Sequence, residues 1–165
     1  MPDLLTHYAT SYLVASRLAN GRRKALLVAF FGLAPDLDVF FHMHRHITHS
    51  ILFPIALLVA AYTLHSLRWR KLLLTLSLLY TLHLILDVFT APLPLFAPLS
   101  FTAYMVHLKI FGRIDNKISI EPVAEVEIVE HYSSVMAEGP IVSTTGAMFL
   151  VAVLFCELAS MLKKS

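Results

Sequence analysis

Three apolar runs, Ser50–Leu67, Leu72–Phe89 and Thr145–Leu162, each have the roughly eighteen residues that a helix needs to cross a bilayer, a rise of about 27 Å. A chain containing such runs has few folds open to it, because lipid offers no partner for a backbone N–H or C=O and each segment must satisfy its own. Composition points the same way. The 165 residues are 58% hydrophobic and 15% charged, where a soluble domain carries about 25% charged residues. That excludes a disordered chain. A net charge of +2, without a stripe of aromatic and basic residues, gives no footprint for nucleic acid. The one cysteine, Cys156, lies in an apolar run and excludes a disulfide framework. Met1-Pro2-Asp3 is not a basic n-region, so no cleavable signal peptide is expected.

Two more segments read as helices packed against these three. Leu4–Leu18 carries His7 and Arg17 near its ends, and Ala25–Phe41 is interrupted by Pro35-Asp36-Leu37-Asp38. Between the fourth and fifth helices the composition changes. Pro92, Pro94 and Pro98 end the helix. Tyr104–Phe111 and Lys117–Glu121 then flank Asp115-Asn116 as a hairpin, and Val123–Val129 alternates as a half-exposed strand. The expected fold is an all-α membrane protein of about five transmembrane or membrane-embedded helices with a small β-rich extramembrane cap. Its division is a helical domain over 1–91, the cap over 92–142 and a last transmembrane helix over 143–165.

Basic residues set an orientation. Arg22-Arg23-Lys24, Arg68/Arg70/Lys71 and Lys163-Lys164 fall on one side, which the positive-inside rule makes cytoplasmic. The N-terminus is then outside, the C-terminus inside, and the Glu-rich cap outside. His7, Asp36, Asp38, the histidines of the turn after helix 2, His83 and Asp87 all fall in the outer layer.

Those polar residues carry the chemistry. His83 and Asp87 lie four apart on one face of an otherwise apolar helix. A carboxylate at such a depth costs roughly 2.5–3.5 kcal/mol and needs a partner, which is either a helix-tying His–Asp bond or a shared metal. In an extended turn Asp36 and Asp38 point the same way and face one ion; the alternative is a Pro-Asp helix start. His44-Arg45-His46-Ile47-Thr48-His49-Ser50 combines imidazoles with an arginine suited to phosphate or carboxylate. Thr48 also suits an N-cap for helix 3. His65, beside Arg68 and Trp69, reads as an interface anchor, and His107 as a surface residue of the cap. His131 reads as a surface residue of the cap as well, with folding over the site together with Glu130 as the alternative.

Thr6-His7, Pro35-Asp36-Leu37-Asp38, His44-Arg45-x-x-Thr48-His49-Ser50 and His83-x-x-x-Asp87 with its Pro-rich exit together resemble the YdjM-like family of membrane-bound, metal-dependent hydrolases. The resemblance covers roughly residues 1–100. It implies a divalent-metal site with His7, Asp36, Asp38, His44, His49, His83 and Asp87 as ligand candidates. Two positions depart from the pattern: His46 stands where Gly is common, and Ala91-Pro92 replaces a Gly often found after the fourth-helix Asp. His46 and His42 therefore rank below His44 and His49.

With no Cys in the set, Zn or Mn is the expected ion, and seven ligands suffice for two of them. The resulting expectation is a metal-dependent hydrolase acting on a phosphoester, such as a phospholipid or lipid-linked phosphate, near the outer face. Arg45 is its catalytic residue, holding the phosphate oxygens. The rivals are a non-catalytic scaffold with a structural metal and a metal or proton transporter. The one-sided placement of the polar groups argues against the transporter.

Overall fold

The computed structural model describes residues 3–19, 21–41, 45, 47–114, 118–132 and 142–162. Helix α1 spans Leu4–Leu18, as expected. Asp3 caps it: Oδ1 accepts from the Thr6 amide at 2.8 Å, pairing one of the N–H groups a helix start leaves open. The other oxygen, Oδ2, accepts from the Ser143 amide at 2.6 Å, and Ser143 Oγ in turn accepts from the Gly146 amide at the start of α5, Thr144–Leu162. One carboxylate thus ties the first helix to the last. It fits because Gly146 has no side chain; a Cβ there would lie 2.0 Å from Asp3 Oδ1.

Gly21, at φ 105°, turns the chain into α2, Arg22–Ala29. The expected Ala25–Phe41 helix is shorter and tighter. After α2 the chain runs as two 3₁₀ segments, Phe30–Leu33 and Pro35–Phe41. The small side chains of Ala9, Ala15, Ala25 and Ala29 are fully buried, with Leu79 and Val153, where α1, α2 and the later helices α4 and α5 meet. Small residues at a crossing let helices approach closely, which is how helices associate in lipid, where burial of apolar surface gives no drive. Gly32 is the extreme case: a Cβ there would stand 1.8 Å from Ser11 Oγ of α1.

Helix α3 covers Leu52–Thr63, not the whole expected run Ser50–Leu67. Its rise is about 18 Å, less than the bilayer core of about 30 Å. At its start, Ser50 Oγ and the Ile51 amide both donate to the Leu95 carbonyl, at 3.2 and 2.9 Å, and Ser50 Oγ accepts from the Leu52 amide. The hydroxyl serving the helix start is therefore that of Ser50, and not Thr48 as expected. At its other end Leu64 is extended and Leu64–Ser66 link to α4, Leu67–Val88. Ser77 of α4 donates to the Pro54 carbonyl at 2.8 Å and fastens the α3–α4 pair. Helix α4 rises about 33 Å. Among the described residues it is the one helix long and apolar enough to cross a membrane; Leu52–Thr63 and Thr144–Ser160 are apolar but shorter.

The cap is a single two-stranded antiparallel hairpin, β1 Ala103–Ile114 with β2 Ile118–Val129. The two strands expected at Lys117–Glu121 and Val123–Val129 are one, running through Pro122 opposite Ile110. A two-stranded sheet leaves one edge of each strand unpaired, where proline, lacking an N–H, is tolerated. The expected Asp115-Asn116 turn lies outside the described residues. Lys109–Glu125 at 2.6 Å and His107–Glu127 at 2.9 Å lace one face. The base of the hairpin is pinned by paired Leu93 and Tyr104 backbones.

Candidate metal centre

His83 Nδ1 lies 2.7 Å from the Gly32 carbonyl oxygen. A carbonyl only accepts, so Nδ1 carries the proton and Nε2 presents a lone pair. His49 is held in the same sense. Its Nδ1 is 3.2 Å from Asp38 Oδ2, and that oxygen also accepts from Thr48 Oγ1 at 2.5 Å. The Tyr80 hydroxyl donates to the Thr48 carbonyl and fixes the turn beneath.

The two Nε2 atoms, both lone-pair bearing in these tautomers, face each other at 3.4 Å. Asp87 Oδ2 is 3.2 Å from the His49 Nε2 and 3.4 Å from the His83 Nε2. Asp36 Oδ1 is 3.6 and 3.5 Å from the same two atoms. All four donor atoms lie within 4.8 Å of one another. Two lone pairs and two carboxylates turned inward repel unless a positive charge, a metal ion or a proton on one imidazole, lies among them. Ligands about 2.1 Å from a tetrahedral ion stand about 3.4 Å apart, close to the five distances of 3.2–3.6 Å that involve the two imidazoles.

Burial sharpens the point. His49 and Asp87 are 0% exposed, His83 1% and Asp36 7%. Among the described residues, no donor in hydrogen-bond geometry reaches Asp36 Oδ1, Asp36 Oδ2 or Asp87 Oδ2. Buried carboxylate oxygens left so are costly, and the donor set of two imidazoles and two carboxylates fits a divalent ion. The bonds from His83 to a carbonyl and from His49 to a carboxylate are the arrangement by which metal-binding imidazoles are oriented.

The remaining expected residues fall around this group. Asp38 lies behind His49. The expectation of an extended turn presenting both aspartates to one ion is corrected: Pro35–Phe41 is a 3₁₀ helix, with three residues per turn, so side chains two apart diverge. His7, also buried, stacks on the His83 ring at 3.9 Å and brings Nε2 within 3.4 Å of Asp87 Oδ1. Arg45 Nη2 reaches the same Oδ1 at 3.2 Å. Arg45 has φ 57°, in the left-handed region that a residue with a side chain seldom enters. Its Nε is buried with no acceptor among the described residues. His44, with His42 and His46, lies outside the described residues. His65 lies in the Leu64–Ser66 linker, at the far end of α4, and His107 is on the hairpin; neither joins the site.

Two contributors were missed in the sequence. Gly32 acts through its carbonyl, for which no side chain gives a signal. Tyr132, just after β2, is half-buried and within the electrostatic reach of Arg45, Asp38 and Asp87. Burial raises its phenol pKa, and the two carboxylates add to the rise against Arg45. His131 is exposed, in keeping with its reading as a surface residue.

The fold is a helical bundle with one long apolar helix, and its buried His/Asp cluster is a candidate metal centre. The chain belongs to the YdjM inner membrane protein family, whose family model matches residues 1–163. The match takes in the hairpin and α5 as well as the His/Asp elements. No curated protein and no solved structure matches the chain.

Proposed function

We propose that the chain is a membrane-embedded, metal-dependent hydrolase of phosphoesters, such as a phospholipid or a lipid-linked phosphate, with its site near the outer face. Asp36, His49, His83 and Asp87 would hold one divalent ion, Zn or Mn by donor type. When bound, the ion supplies Lewis-acid activation of water and of a phosphoryl oxygen. Arg45 neutralises the substrate's anionic oxygens, its planar fork being suited to a phosphate. Asp38 and the Gly32 carbonyl hold His49 and His83 in their tautomers. His7, packed on His83, accepts or releases a proton beside Asp87.

The observation that carries the hydrolytic reading is Arg45: a buried guanidinium in a strained backbone, paired on one side to Asp87 and with Nε directed to no acceptor among the described residues. In this reading about five helices lie in the membrane, with α4 crossing it and the shorter ones packed around it. Residues 92–142 form the cap outside, the N-terminus is outside and the C-terminus cytoplasmic.

One observation favours a second reading, a structural metal: every one of the four donors is buried. Arg45→Gln separates the two. If the site is hydrolytic, this variant keeps its metal and loses chelator-sensitive hydrolysis of a phosphoester bond, read as the alcohol and phosphomonoester products of a phospholipid, by about 100-fold or more, the scale for a preorganised electrostatic group. If the wild-type protein hydrolyses none, or the variant matches it, the hydrolytic reading fails.

A further inference from the structure

At the other end of α4 from the His/Asp cluster, about 22 Å away along the helix from Arg68 to His83, a cavity of about 520 Å³ opens between the end of α1, α2 and the first turns of α4. Its wall is apolar, with Leu27, Leu72 and Trp69, and its cations are Lys24, Arg68 and Lys71. No acid lines it, and among the described residues none of the three cations has an acidic partner, although Arg22 next to them is paired with Glu157. The α4 start adds to the positive field: Ser66 makes no side-chain cap bond, so the first-turn amides stay open.

Charge and wall together define the occupant. Three cations without an acidic partner among the described residues call for a phosphate, and the apolar wall beside them calls for an acyl chain. We propose that this cavity binds an anionic phospholipid, its phosphate on Lys24, Arg68 and Lys71 and its chain along Leu27 and Leu72. Basic pockets between membrane helices hold acidic headgroups in this way. Trp69 lines the cavity and is exposed, and an indole suits the headgroup layer. The site rests on none of the metal chemistry at the opposite end.

The test is lipid titration of the purified protein in detergent, read by native mass spectrometry, with phosphatidylglycerol, phosphatidylcholine and inorganic phosphate as probes. Phosphatidylglycerol is expected to bind at least about tenfold more tightly than phosphatidylcholine, and millimolar phosphate to leave it in place. The triple variant Lys24→Gln, Arg68→Gln, Lys71→Gln should lose about 100-fold, at roughly fivefold per cation. Thr75→Trp, which fills the cavity and leaves every charge, should lose binding too, and it decides the matter if the triple variant does not fold. Equal binding of the two lipids, displacement by free phosphate, or full binding by either variant would overturn the proposal.

Discussion

His49 is held from behind by Asp38, which is itself held by Thr48. Such a partner sets ring orientation and raises ligand basicity, and its loss typically costs 10–100-fold in metal affinity. Asp38→Asn should therefore weaken metal binding by that factor without abolishing it, as measured by competition with a chelator of known affinity. Complete loss would place Asp38 among the ligands. Gly32 plays the matching part for His83 and has no room for a side chain. Gly32→Ala should lower stability by about 1–3 kcal/mol through the clash with Ser11, read as a lower Tm in detergent. It should also lower metal content, since the displaced carbonyl releases His83. At this scale the site was legible where an expensive side chain had to be justified: His7, Asp36, His49, His83 and Asp87 stand out in apolar sequence because lipid penalises them. A backbone carbonyl carries no such mark, so Gly32 was invisible.

Among the elements, α1 and α5 share one anchor. Asp3 accepts from the amides of Thr6 and Ser143. Burial alone would raise its pKa, but the hydrogen bonds from Ser143 and Thr6 outweigh that and hold the carboxyl below its ordinary value. A carboxylate with a lowered folded pKa stabilises in full above its unfolded pKa and ceases to do so as pH falls through the folded one. Asp3→Asn, which keeps an oxygen for the Thr6 amide but loses the charged acceptor of the Ser143 amide, should thus reduce Tm near neutral pH, with a cost of about 1.5–3 kcal/mol for that charge-assisted bond, and the difference from wild type should vanish in acid below the folded pKa. A difference that persists there would remove the carboxylate from the account. Element types followed the apolar periodicity well: α1 starts and ends where the sequence places it, α5 begins one residue early, and α4 begins at Leu67, more than a turn before the expected Leu72. The failures have local causes. The run over Ser50–Leu67 is apolar throughout, yet Ser50 and Ile51 are drawn into bonds with Leu95, a contact from far along the chain that no window of sequence reveals. Pro122 divided what is one strand, because a hairpin's open edge was not in view.

For the whole molecule, the cations at one end of α4 and the His/Asp cluster at the other make a polar axis. In the five-helix topology proposed above, the two ends lie on opposite faces of the membrane. In a Cys156→Ser background, His65→Cys in the Leu64–Ser66 linker should react with an impermeant thiol reagent only from the cytoplasmic side, and Glu130→Cys at the base of the hairpin only from the outer side. Reaction of both from one side would mean that α4 does not cross.

The central claim is that the four converging donors hold a divalent ion, and the most direct measurement is elemental analysis of the purified, unchelated protein. The account predicts about one divalent ion per chain, retained in His65→Ala, which lies outside the site, and lost in His83→Ala and Asp87→Asn. Protein without stoichiometric metal, or Asp87→Asn with its full metal content, would contradict it.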